Sequence, residues 1–245
     1  MAQTYYPYVG SGKIYARVAG TATGRMELGN CSKLNIKIKE EKKNLKDYTK
    51  PGGGNYATVS RIDTATLELT LHDLNKTNLA RAMFGSEAVV TGAAVVDEVV
   101  VGYKDAICPL AHPAATAVVV TNSAATTTYV EGTDYEVRPG GIFVIAAGAI
   151  TDAQSLKVDY SFVGYNRVEG LTGGAQTLEL YCEFLNEANS GKPVLLDFWK
   201  VQLSPTKALE LLGDKFAELD TEAELLKDPT KTGVGISQYF RARLA

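Results

Sequence analysis

Strict alternation of apolar and polar side chains, in four separate stretches, constrains this chain more than any other feature of its sequence. From Lys33 to Lys39, Leu34, Ile36 and Ile38 alternate with Lys33, Asn35, Lys37 and Lys39. From Thr64 to Leu71, Leu67, Leu69 and Leu71 oppose Thr66, Glu68 and Thr70. From Thr177 to Phe184, Leu178, Leu180, Cys182 and Phe184 oppose Thr177, Glu179, Tyr181 and Glu183, and the fourth set is Leu156, Val158, Tyr160 and Phe162. Successive side chains of a strand point to opposite faces, so a period of two places one face in a core and the other in water. Four such stretches predict a mainly β fold of antiparallel sheets.

Two helices are expected beside the sheets. Asn75 can cap a short helix from about Lys76 to Phe84, with Gly85 at the C-terminal glycine position. Ser204-Pro205 reads as a cap followed by proline at the first helical position, and Ala208, Leu209, Leu212 and Phe216 follow at helical spacing. The stretch from 87 to 164 differs in character. It is rich in Ala, Val, Thr and Gly, with short strand-like runs at Ala117–Val120, Tyr135–Arg138 and Ile142–Ala146 between turn signals such as Pro139-Gly140-Gly141. It is expected to be an inserted small β-rich, Ig-like unit, with 1–86 and 165–245 forming one discontinuous domain around it.

The 245 residues carry 25 Lys+Arg against 28 Asp+Glu, a net charge of -3. A protein that grips nucleic acid by its phosphates carries a basic surplus, which is missing here. No apolar run is long enough to span a bilayer, and Met1–Tyr8 lacks the basic and apolar regions of a secretory signal. Cys31, Cys108 and Cys182 are odd in number and widely spaced, which suits free thiols.

Candidate chemistry is sparse. His72-Asp73 offers a dyad without a nucleophile elbow, and Cys108 with His112 offers two metal ligands where a structural zinc needs about four. Gly10-Ser11-Gly12-Lys13 lacks the spacing of a phosphate-binding loop, and Pro51-Gly52-Gly53-Gly54 has no lysine after its glycines. The expectation is a protein with no catalytic residue, no metal and no cofactor. Tyr5, Tyr6 and Tyr8 stand without neighbouring cations and suit a protein interface better than a base-stacking platform.

One segment stands out as a candidate contact element. After the strand ending near Lys39 come Glu40, Glu41, Lys42, Lys43, Lys46, Asp47, Tyr48, Lys50, Pro51, Gly52, Gly53, Gly54 and Asn55. A long, charged, glycine-ended loop is uncommon in a compact domain unless it is functional or disordered, and this one could order against a neighbouring subunit.

The order of motifs resembles the major tail tube protein of long, non-contractile-tailed bacteriophages. The resemblance is carried by Gly12-Lys13-Ile14-Tyr15, by Leu28-Gly29-Asn30-Cys31-Ser32-Lys33 and by Leu45-Lys46-Asp47-Tyr48-Thr49. It continues in Leu67–Asn75, in Pro193–Val201 and in the ending Ser237-Gln238-Tyr239-Phe240, so it covers the two flanks of the insertion. It implies a tail-tube type β-sandwich or barrel whose copies form sixfold rings that stack head to tail around a channel. It further implies that DNA passes through the lumen without specific binding, and that Glu40–Asn55 reaches an adjacent ring. The implied partners are the chain itself and the tail tip or initiator, tape measure and tail terminator proteins, with no membrane. The implied place is the virion tail, after synthesis in the host bacterial cytoplasm. A carbohydrate- or surface-binding module remains an alternative, with Tyr103, Tyr129, Tyr135 and Phe143 as its aromatics, as does the inner tube of a contractile or secretion device.

Overall fold

A computed structural model describes residues 7–245, so Tyr5 and Tyr6 lie outside the described residues. The fold is mainly β, with antiparallel sheets and one α-helix among the described residues. In chain order the strands begin with β1 (Gly10–Val18), β2 (Met26–Glu27), β3 (Cys31–Lys46) and β4 (Asn55–Leu71). After α1 (Lys76–Ala82) come β5 (Ser86–Val90), β6 (Ala93–Gly102), β7 (Ile107–Pro109), β8 (Thr116–Asn122), β9 (Tyr135–Arg138) and β10 (Gly141–Val144). The last are β11 (Gln154–Phe162), β12 (Tyr165–Glu169), β13 (Thr177–Asn186), β14 (Lys192–Leu203), β15 (Leu219–Leu225) and β16 (Phe240–Leu244). The chain divides into two compact units. One takes the chain up to Glu87 and again from Val168, and the other is Ala88–Arg167. The outgoing and returning strands β5 and β12 pair with each other.

The first unit is built on one eight-stranded antiparallel sheet, in the order β2-β1-β13-β14-β15-β4-β3 with β16 added on β14. Its two end strands, β2 and β3, are consecutive in the chain, with Leu28, Gly29 and Asn30 between them. That link spans at most about 14 Å, so the sheet must curl until its edges nearly meet. The curl is tied by Leu28 N–H to the Ile14 carbonyl at 2.8 Å and His72 N–H to the Asn30 carbonyl at 2.9 Å. The inward face is the alternating set: Ile14 and Ala16, Leu67, Leu69 and Leu71, Leu178, Leu180 and Cys182, Phe198 and Val201, Leu219, Ala223 and Leu225 are all buried. β14 serves two partners on its second edge, β16 along Val194–Phe198 and β15 along Val201–Leu203.

α1 begins as its sequence requires. The Asn75 side chain accepts from Asn78 N–H at 2.9 Å, and the Asn78 amide donates to the Leu28 carbonyl at 2.7 Å, which fixes the helix to the curled edge. The helix ends at Ala82, two residues short of the expected Phe84. The second expected helix does not form: Ser204–Glu218 is irregular. Leu209 packs against the core, but Leu212 and Phe216, which would continue the apolar face, are 95% and 92% exposed. A helix of about ten residues is marginal in water without a packed face, and Gly213 in its last turn weakens it further.

The second unit has two three-stranded sheets, β7-β10-β9 and β6-β11-β8. Ile142 and Val144 from the first and Leu156, Val158 and Tyr160 from the second share one core with Val120, Tyr135 and Ile150. Two faces pooling their alternate residues in this way make a small sandwich. Its boundaries, at 87/88 and 167/168, lie one and three residues beyond those expected from composition. The Tyr160 hydroxyl donates to Glu98 at 2.5 Å, and burial together with that carboxylate pushes its pKa up to about 12.

Candidate assembly surface

The segment expected to be a long loop is a β-hairpin arm. β3 runs on past Lys39 to Lys46, β4 resumes at Asn55, and the two remain paired from Cys31↔Leu71 out to Lys46↔Asn55. The strand-free tip is Asp47–Gly54, closed by Asp47 N–H to the Gly54 carbonyl at 2.8 Å. Asp47 also accepts from Thr49 N–H at 2.8 Å and from the Thr49 hydroxyl at 2.5 Å. Gly52 and Gly53 turn the chain with φ of 101° and 49°, a region that disfavours side chains. At about 3.3 Å per residue, Lys39 to Lys46 projects on the order of 23 Å.

Beyond Ala65 no side chain of the arm is buried. Polar residues hold it along its length. Lys33 and Lys37 both pair with Glu68, Lys39 meets Asp63 at 2.8 Å, and Lys42 meets Glu40 at 3.3 Å. The outer edge of β3, which pairs with no other strand, carries lysines at 33, 37, 39, 42, 43 and 46, which discourages open-ended strand pairing. Yet the same arm exposes Ile38, Leu45, Tyr48, Tyr56, Val59 and Ile62, with Tyr48 at its tip 85% exposed. An isolated two-stranded hairpin is marginal in water, and clustered exposed apolar residues mark interaction surfaces. Tyr56, Val59, Arg61 and Ile62, the returning half, were not among the expected contact residues. Their signal was their near-symmetric placement, with Lys39–Lys46, about the Pro51-Gly52-Gly53-Gly54 turn.

Electrostatics at the arm's base give a pH prediction. Hydrogen bonds from Lys37 and then Lys33 lower the Glu68 carboxyl from 4.5 to about 2. Its folded value lies below its unfolded one, so its contribution to stability is fully present above about pH 4.5 and is lost as pH falls toward 2. Urea unfolding between those limits is expected to show less pH dependence in Glu68→Gln than in the parent chain.

The other candidate residues are dispersed into structural roles. Gly12 lies in β1 opposite Phe184, where an added Cβ would run into the Glu183 carbonyl, so the glycine-rich stretch is strand and not a phosphate loop. His72 Nδ1 lies 4.0 Å from Glu218, whereas Asp73 turns the other way and accepts from Asn30 N–H at 2.7 Å. Cys108 is buried and its thiol donates to the Val101 carbonyl, while the His112 ring stacks on Phe162 at 3.8 Å. No group of three or more potential metal ligands is present among the described residues. Of the four aromatics of a glycan platform, Tyr129 and Tyr135 are buried in the sandwich core. No helix among the described residues is long and apolar enough to cross a membrane.

The chain belongs to the family described as protein of unknown function UCP028589, whose model matches residues 7–243 and so runs through both units. No curated protein matches it.

Proposed function

We propose that this chain is a structural subunit that assembles with copies of itself into stacked rings around a channel, in the manner of the tail tube of a long-tailed, non-contractile bacteriophage. The observation that carries the proposal is the β3–β4 arm, a ribbon without a core of its own that presents aliphatic and tyrosine side chains to solvent. Within a monomer those side chains gain nothing from exposure. Covered by a neighbouring copy, each buried apolar side chain contributes on the order of 1.5–3 kcal/mol.

The curled sheet supplies a rigid body from which the arm projects at one end. Contacts between unlike surfaces of identical copies close into rings or extend into filaments according to the rotation between copies. The resemblance in the flanks adds the sixfold ring, the DNA-carrying lumen and the partners at the tail ends to the proposal. A net charge of -3 suits a wall that DNA slides past, because it offers phosphates no surplus of cations.

Sedimentation velocity over a concentration series tests the proposal. The expected result is a cooperative step from monomer to a ring-sized species and then to larger assemblies. A single monomeric boundary at every concentration contradicts it.

A further inference from the structure

On the assembly reading above, the arm needs a receiving surface on the next copy, and one is present in the first unit. The connection between β14 and β15 leaves the sheet at Leu203 and returns at Leu219, which pairs with Leu71. Leu71 is the end of β4 farthest from the arm tip. Arm tip and connection therefore occupy opposite ends of the same sheet.

The connection encloses an open cleft of about 500 Å³ lined by Leu212, Phe216, Glu210, Asp214 and Glu218 among others. Leu212 and Phe216 stand almost fully exposed on it. Neither Glu210 nor Asp214 makes an ion pair among the described residues, and the same holds for Lys46 and Lys50 on the arm. The cleft also holds Lys215, but its four acids, Glu210, Asp214, Glu218 and Asp220, outnumber that one cation, and this acidic, apolar surface matches Lys46 and Lys50 beside Tyr48 at the other end.

We infer that the arm tip of one copy docks in the 208–220 cleft of a second copy, with Tyr48 between Leu212 and Phe216, and Lys46 and Lys50 against Glu210 and Asp214. Because projection and cleft lie at opposite ends of one sheet, a docked pair leaves one free tip and one free cleft. The contact is heterologous and propagates along the strand direction. The acids of the cleft set register and association rate, and the apolar contacts hold the complex.

A double variant, Tyr48→Cys with Leu212→Cys, tests the geometry under mild oxidation. A ladder of disulfide-linked dimers, trimers and longer species is expected, whereas each single variant stops at a pair. A second series tests the charges. Lys46→Glu with Lys50→Glu, or Glu210→Lys with Asp214→Lys, is expected to raise the concentration needed for assembly about tenfold, and combining all four restores it. Parent protein that assembles while the ladder is missing and the reversals have no effect overturns the docking and leaves the assembly reading standing. Parent protein that never assembles overturns both.

Discussion

Replacing Glu41–Arg61 with Asn-Gly, so that the directly opposed Glu40 and Ile62 are joined by a two-residue turn, is expected to leave the fold intact and abolish assembly. Asn-Gly suits the tight turn that links paired strands. No side chain removed is buried, and surface changes away from special features usually shift stability by about 0.5 kcal/mol or less. The loss to assembly is far larger, because the excised ribbon carries Leu45, Tyr48, Tyr56 and Val59. Circular dichroism and thermal melting check the fold, and pelleting at high concentration checks assembly. A shortened chain that pellets like its parent contradicts the role given to the arm.

The second large effect concerns the core. Phe198 is among the largest fully buried side chains and lies with its ring 5.7 Å from that of Phe240, where β14 and β16 pair. Phe198→Ala is expected to destabilise the first unit by about 3–5 kcal/mol, a large share of the roughly 5–15 kcal/mol typical of a domain. Trp199, the one tryptophan of the sequence, neighbours it and reports on this unit. Its fluorescence in a urea titration is expected to show a much lower midpoint in the variant. An unchanged midpoint contradicts the placing of Phe198 at the centre of this core.

Much of the fold was legible because burial writes itself into alternation. Leu67, Leu69 and Leu71 face the core of the first unit and Leu156, Val158 and Tyr160 that of the second, as their spacing required. Asn75 caps its helix because a side-chain acceptor at that position satisfies an otherwise free N–H.

The arm was misread for the complementary reason. From Lys33 to Lys39 the alternation marks a strand, although Ile36 and Ile38 are exposed and not in a core as their spacing predicts, and beyond Lys39 the alternation itself ends. Glu40-Glu41-Lys42-Lys43 therefore looked like a loop, although it is strand held by ladder hydrogen bonds and opposed pairs such as Lys43↔Val59 and Leu45↔Ala57. At Ser204–Glu218 the error ran the other way. Helical spacing is present, but spacing alone does not make a helix when only Leu209 of the apolar side packs on the first unit and Leu212 and Phe216 stay exposed. Both departures fall on the two surfaces that the docking proposal joins. On the docking proposal, local pattern and monomer structure disagree where a second copy would supply the missing contacts.

Negative-stain electron microscopy of the purified, concentrated protein tests the central claim most directly. Rings with a central hole, stacking into tubes as concentration rises, are the expected result. Fields of separate single particles, without rings at any concentration, contradict it.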